Sequence, residues 1–311
     1  MKRLSMFLEA LTGRGKLLMA VVLLATGPHL LAQQDFSKVE IQAVDVAAGV
    51  HMLIGSGGNV GVSSGEDGVL IIDDQYAPLT DKISAAITKI SGKPIRFVIN
   101  THWHGDHTGG NENVGKTGAV IVAHENVRER LSREQFNAFF NRRTPPSPKG
   151  ALPIVTFTQD IFFHVNGDDL HVFHVDPAHT DGDSVIHWQK ANVFHMGDLF
   201  FSGGYPFIDL SSNGAAQGII AAADKVISLA NGESKIIPGH GPLSTRQDLI
   251  AYRDMLKDLE SRITGLIGQG KSLEEVKAAK PSATYDDKWG TGFIKGDQIV
   301  EFFYHSYKKS S

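Results

Sequence analysis

The 311-residue chain has no cysteine. That absence excludes disulfides, thiolate metal ligands and a cysteine nucleophile, and it suits an oxidising compartment. Charge of one sign is also lacking: 30 Lys and Arg stand against 34 Asp and Glu, a net charge of -4. With no basic block, the electrostatic footprint of a nucleic-acid-binding protein is missing. The apolar run Leu17 to Thr26 is too short for a comfortable membrane span. Lys2, Arg3, Arg14 and Lys16 precede the bulk of it, and Leu30-Leu31-Ala32 offers a signal-peptidase site. This pattern predicts a signal peptide over residues 1–32, a periplasmic or secreted product and no stable membrane span once it is removed. Cleavage after Ala32 would take away those four basic residues and Glu9, a net +3, leaving -4 - 3 = -7. The remainder, 36–311, has the length of one large domain or two small ones.

Histidine is what the sequence does have, and it is concentrated in Thr101-His102-Trp103-His104-Gly105-Asp106-His107. Three imidazoles and a carboxylate follow directly on the strand-like run Ile95 to Ile99. Imidazole is the commonest metal ligand at neutral pH, and an adjacent carboxylate favours hard or borderline divalent cations. In a tight loop His102 and His104, two apart, can face one point. Asp106 and His107, being neighbours, diverge and could serve a second metal. Three later stretches each place a candidate ligand at the end of a strand-like run, beside glycine or proline. They are Pro177-Ala178-His179-Thr180-Asp181-Gly182-Asp183, Met196-Gly197-Asp198-Leu199 and Pro238-Gly239-His240-Gly241.

Hydrophobic periodicity supplies the frame. Strands are expected over 39–44, 49–54, 60–62, 69–72, 95–100 and 119–122. A helix carrying Leu79, Ile83, Ile87 and Ile90 stands between the fourth and fifth. From Glu125 the spacing of Val127, Leu131 and Phe139 predicts a helix flanked by Phe136 and Phe140. Arg142 to Gly150, with three prolines, reads as a surface loop. Strands then recur at 161–164, 170–175, 184–188 and 192–196, followed by a helix over 215–230 and a strand at 235–237. Ser244 with Gln247, and Ser272 with Glu275, read as helix capping boxes. A terminal helix is expected over 297–307. Two blocks of strands, each followed by a helix, suggest an internal duplication: two packed sheets with helices outside.

The HxHxDH, HTxGD, GD and PGHG segments, in that order, resemble those of the metallo-β-lactamase superfamily, and the resemblance covers about residues 40 to 265. It implies an α/β fold of the α+β type, a four-layer αββα sandwich with metals at one edge. It implies His102, His104 and His179 as ligands of a first ion and Asp106, His107 and His240 as ligands of a second. Asp198 would bridge the two, with Asp73 and Thr101 orienting the histidine loop from behind. The cofactor would be zinc, two ions per chain; iron or manganese is compatible with the same donor types. The implied chemistry is metal-assisted hydrolysis, with Asp106 and Asp198 as catalytic carboxylates that orient water and shuttle its proton.

The bridging Asp198 is similar to the arrangement in glyoxalase II, lactonases and phosphodiesterases of the superfamily. The β-lactamases of the cysteine-ligand subclass have Cys there and a lysine three positions on, where this chain has Phe201. The expected substrate is therefore a small acyl compound: a lactone, thioester or cyclic amide, with β-lactams turned over modestly. A true metallo-β-lactamase, a mononuclear iron oxygenase of the same fold and a non-catalytic metal-binding protein are the alternatives. Trp103, Phe200, Phe201, Tyr205 and Phe207 are expected as apolar substrate walls. Asn213 is expected either to stabilise an oxyanion or to cap a helix. His195 alternates to the opposite strand face from Phe194 and Met196 and is assigned no part in the site.

Overall fold

Runs of Val and Ile broken at glycine and asparagine turns build two mixed sheets in a computed structural model that describes residues 35–308. The expected export segment lies outside the described residues. An antiparallel meander of β1 (Gln42–Ala47), β2 (Val50–Ile54), β3 (Val60–Gly65) and β4 (Gly68–Ile72) opens the first sheet. Helix α1 (Thr80–Ile90) then crosses to β5 (Ile95–Ile99), parallel to β4. Two short helices, α2 (Gly105–Thr108) and α3 (Asn111–Gly115), lead to β6 (Val120–His124). Beyond it lie α4 (Glu125–Leu131), the separate hairpin β7 (Gln135–Asn137) and β8 (Arg142–Thr144), and β9 (Val155–Phe157). The strand order is β1-β2-β3-β4-β5-β6-β9.

The second sheet repeats the scheme. The strands β10 (Asp160–Val165), β11 (Asp168–His174), β12 (Ser184–Trp188) and β13 (Val193–His195) form an antiparallel meander. Helix α5 (Ala216–Leu229) crosses to β14 (Lys235–Ile237), parallel to β13, and β15 (Ser244–Thr245) closes the edge. Four-strand meander, helix and parallel fifth strand thus occur twice, which is the duplication expected from the order of elements. The outer helices are α6 (Arg246–Gly268), α7 (Leu273–Ala278), α8 (Asp286–Trp289) and α9 (Gly296–Lys308).

Side-chain alternation assigns the layers. All five residues of β4 are buried. Leu70 and Ile72 join Met52, Ile99 and Val122 against Leu170, Val172, Ile186 and Trp188 of the second sheet. Val69 and Ile71 point the other way, onto Ile83 and Ile87 of α1. The outer face of the second sheet, with Phe173, Val185, Phe194 and Ile236, packs under residues of α5, α6 and α9. The result is an αββα sandwich in which each fully buried Leu or Ile contributes roughly 1.5–3 kcal/mol. No helix among the described residues is long and apolar enough to cross a membrane.

Three local expectations are corrected. The helix from Glu125 stops at Leu131, and Phe136, Phe139 and Phe140 belong to the hairpin and its turn; the helical spacing of Phe139 is coincidental. Arg142 to Thr144 is a strand, the outer arm of a two-stranded ribbon that leaves the prolines beyond its end. The capping box of α6 is Thr245 with Asp248, because Ser244 is spent in β15 and bonds Ser202 and the Pro242 carbonyl.

Candidate metal centre

The loops that leave β4, β5, β11, β13 and β14 converge at one end of the sandwich. There the carboxyl ends of parallel strands turn, the usual place for a site in mixed sheets. Two groups of possible ligands meet in this region: His102, His104, His179 and Asp198, and beside them Asp106, His107 and His240. These are the seven side chains singled out in the sequence. Asp198 touches both groups. Its Oδ2 lies 3.4 Å from His179 Nε2 and 3.9 Å from His102 Nε2, and its Oδ1 lies 3.1 Å from His107 Nε2 and 3.4 Å from His240 Nε2. Asp106 Oδ2 is 3.6 Å from His107 Nε2 and 3.4 Å from His240 Nε2.

The imidazoles are aimed by partners on their far nitrogens. His107 Nδ1 is 2.7 Å from Asp73 Oδ2. The other oxygen of Asp73 accepts the Thr101 N–H at 2.8 Å, and the Thr101 hydroxyl donates to Oδ2 at 2.7 Å. His102 Nδ1 lies 3.0 Å from that hydroxyl, so a relay from His102 through Thr101 to Asp73 leaves Nε2 free. His179 Nδ1 donates to the Phe207 carbonyl at 2.7 Å. His104 differs: its Nε2 is 2.9 Å from Asp209 Oδ2, which turns Nδ1 inward to 2.9 Å from His179 Nε2. Outer partners of this kind fix ring orientation and tautomer in metal sites. Asp73 and Thr101 were expected in this role. Asp209 was not, and its nearest signal in the sequence is only a carboxylate in an irregular segment between β13 and α5.

Backbone shape makes room for the cluster. Asp73 is buried with φ 61°, a left-handed conformation that Asp tolerates better than most residues and that tends to persist at functional sites. Any Cβ at Gly58 would lie 2.1 Å from His107, and one at Gly239 would lie 2.1 Å from Asp198 Oδ1. Both glycines are required by close approach.

The electrostatics of the cluster suit a cation. Burial holds the His102 imidazole well below its ordinary range and lowers His179 to about 4. Burial works against the charged form of His240 as well, but Asp198 and Asp106 outweigh it and raise His240 to about 9. Asp198 is buried too, yet His240, His107, His179 and His102 keep its carboxyl well below the usual carboxylate range. His102 Nε2, His107 Nε2 and Asp198 Oδ1 are buried without a hydrogen-bond partner. Unpartnered buried polar atoms are costly, and these three, drawn from both groups around Asp198, fit metal ions, which take neutral imidazole and ionised carboxylate.

The other expected site residues fall on both sides of the line. Phe201 is partly exposed and stacks on His240, ring centroids 5.2 Å apart at 14°. Phe207 lies 6.0 Å from the His104 ring and 5.7 Å from that of His179. Phe200 and Tyr205 are corrected to core residues. Phe200 packs on Tyr252, and Tyr205 is buried with its hydroxyl donating to Asp286, because the segment after Asp198 dives under α6. Trp103 is also packed, against Ala123, Val127 and Leu131, with its N–H given to Ser212. Asn213 is not the N-cap of α5, a position held by Ala215; it closes the short 3-10 turn Leu210–Ser212 in the left-handed conformation, φ 60°, and its amide donates to Asp181. His195 is buried, with Nε2 at the Asn59 carbonyl and Nδ1 accepting the Gly197 N–H, so neither ring nitrogen is offered to the ligand groups.

An αββα sandwich with a carboxylate shared between two histidine-rich groups at its strand ends defines a fold class with a candidate metal centre at one edge. Residues 53–240 match the family model of the metallo-beta-lactamase superfamily. The chain belongs to that superfamily. A metallo-beta-lactamase from Pontibacter korlensis superposes with a TM-score of 0.57 over 70% of this chain and 100% of its own, at 18% identity. Atrochrysone carboxyl ACP thioesterase from Aspergillus terreus is 25% identical over 84% of this chain and 73% of its own length. The alpha subunit of 2,4-dinitroanisole O-demethylase from Nocardioides sp. is 24% identical over 45% of this chain and 40% of its own. Hydroxyacylglutathione hydrolases match over shorter stretches. Apart from the thioesterase, the chain spans about two-fifths or less of the length of these curated relatives.

Proposed function

We propose that the chain is an exported dinuclear zinc hydrolase of small acyl compounds, with a lactone, thioester or cyclic amide as the reacting group. The observation that carries this reading is the Asp198 carboxylate, with Oδ2 turned to His179 and His102 and Oδ1 to His107 and His240. A single ion in either group would leave a buried, unpartnered imidazole nitrogen in the other, His107 Nε2 or His102 Nε2. Five imidazoles and two carboxylates suit zinc. When bound, such ions lower the pKa of a water molecule and draw charge from an acyl oxygen.

The chain's own residues supply the rest. Asp73, Thr101, Asp209 and the Phe207 carbonyl hold the imidazoles in place. Asp106 is buried enough to resist ionisation, but His107 and His240 lower it to about 2, so it is a carboxylate at neutral pH. Its side chain is 23% exposed against 5% for Asp198. It is therefore the group placed to accept a hydrogen of the attacking water and to pass that proton outward. The thioesterase and hydroxyacylglutathione hydrolases among the relatives support an acyl substrate. Phe201 on His240 offers apolar contact where a carboxylate-gripping lysine would otherwise stand, and Arg143 is occupied by Glu134.

The test is kcat/KM of zinc-loaded protein on a lactone, a glutathione thioester, a penicillin, a cephalosporin and a carbapenem. The acyl compounds should lead. A preference for β-lactams above about tenfold, roughly 1.4 kcal/mol of transition-state binding, would overturn the substrate assignment. Export is proposed from the pattern of residues 1–32. Protein recovered from its host should begin at or near Gln33, and an intact Met1 in the soluble fraction would refute it.

A further inference from the structure

Among the described residues, eight large hydrophobic side chains are exposed, and three of them meet in one cluster: Phe139, Phe140 and Phe293 at 37%, 51% and 60%. Phe139 and Phe140 occupy the turn of the β7–β8 hairpin, and Phe293 lies between α8 and α9. Phe140 and Phe293 stack nearly parallel, centroids 5.8 Å apart at 14°. Beneath them Phe207 is the hub, with centroids 5.2 Å from Phe139, 5.5 Å from Phe140 and 5.6 Å from Phe302. The same Phe207 contacts the rings of His104 and His179. A continuous aromatic path therefore runs from the metal-facing histidines to the solvent.

The cluster is built and anchored. Ala138 N donates to Ser211 Oγ, and Phe140 N to Asn137 Oδ1, which ties the turn to the segment that carries Asp209. Among the described residues no cation lies over any of these five rings, whereas Arg143 covers Phe136 on the same hairpin. Exposed apolar patches of this kind mark interaction surfaces or ligand grooves. Continuity with the candidate metal centre selects the second.

We propose that Phe139, Phe140, Phe207 and Phe293 form an aromatic clamp for an uncharged apolar tail of the substrate, whose acyl group lies at the metal centre. The preferred substrate is thus a medium-chain or aryl acyl compound rather than a small polar one. The position of the reacting end rests on the hydrolase reading; the clamp itself rests on the rings.

The experiment is a calorimetric titration of zinc-loaded full-length chain with unbranched carboxylates from butanoate to decanoate, with thioesters of the same lengths assayed in parallel. Affinity should rise about two- to fourfold for each added methylene. The double variant Phe140→Ala/Phe293→Ala should flatten that rise, and Phe140→Leu/Phe293→Leu, which keeps apolar surface, should restore most of it. Phe162→Ala, an exposed residue touching none of the five rings, should keep the full rise. Thermal unfolding checks that each variant is folded. Affinity independent of length, or a rise unchanged in the alanine variant, overturns the clamp even if thioesters are hydrolysed. A length-dependent rise with no hydrolysis keeps the clamp and removes the hydrolase reading. A concentration-dependent dimer abolished by the alanine variant, with no chain-length effect, would assign the patch to a second copy and overturn the proposal.

Discussion

The two ligand groups are not equivalent. His102, His104 and His179 each have an outer hydrogen-bond partner, and their side chains are 1%, 13% and 0% exposed. In the other group His107 is braced by Asp73, but the side chains of Asp106 and His240 have no outer partner among the described residues and are 23% and 31% exposed. One half is buried and over-determined, and the other opens to solvent. The proposed dinuclear centre would hold one ion as part of its framework and offer the second to exchange and to substrate. Asp198 links the halves.

The largest effect should come from cutting that link. Asp198→Ala is expected to reduce metal content at both groups and to bring hydrolysis to background; elemental analysis and the acyl assay check it together. If one ion and full activity survived, the carboxylate would not be shared. Next in size is Asp209→Ala, which frees His104 to rotate. Outer partners of metal-bound histidines are typically worth 10–100-fold in affinity or activity, so the tighter ion should weaken by about that factor while the looser one changes little. Equal weakening of both ions would erase the asymmetry.

A pH effect follows from His240. Its pKa is raised from 6.5 to about 9 by Asp198 and Asp106 acting against burial. In metal-free protein that stabilisation is fully present below pH 6.5 and is lost as pH rises through about 9. The melting temperature of metal-free protein should therefore fall across this window, while affinity for the second ion rises as the competing proton leaves. A flat melting profile would remove His240 from the coupled cluster. The smallest effect on the site is expected from His195→Ala. It removes the contacts to the Asn59 carbonyl and the Gly197 N–H and should destabilise the fold by about 1–3 kcal/mol without changing metal content.

What was legible in the sequence divides along similar lines. The stretches that hold His102, His104, Asp106, His107, His179, Asp198 and His240 stood out because they lie beside glycines and prolines at the ends of apolar runs; the motif resemblance then picked out the seven side chains that the fold brings together. Strand periodicity plus turn chemistry located the runs, and the two meander-helix-strand blocks followed from their order. Asp209 could not be read, since it reaches His104 across 105 positions from an irregular segment that carries no periodicity. Phe139 misled because a hairpin turn happened to continue the helical spacing of Val127 and Leu131. Phe200 and Tyr205 misled because aromatic residues near a ligand look alike in sequence whether they face the cavity or the core. Only the packing under α6 separates them from Phe201 and Phe207.

Two unequal metal positions joined by Asp198 would show directly in a stepwise zinc titration of metal-free protein, with hydrolysis followed at each addition. Two equivalents per chain are expected, the first bound more tightly, with full activity reached only as the second is taken up. In His240→Ala the second step alone should be lost. A single equivalent giving full activity, or two steps of equal affinity that disappear together in His240→Ala, would contradict that arrangement.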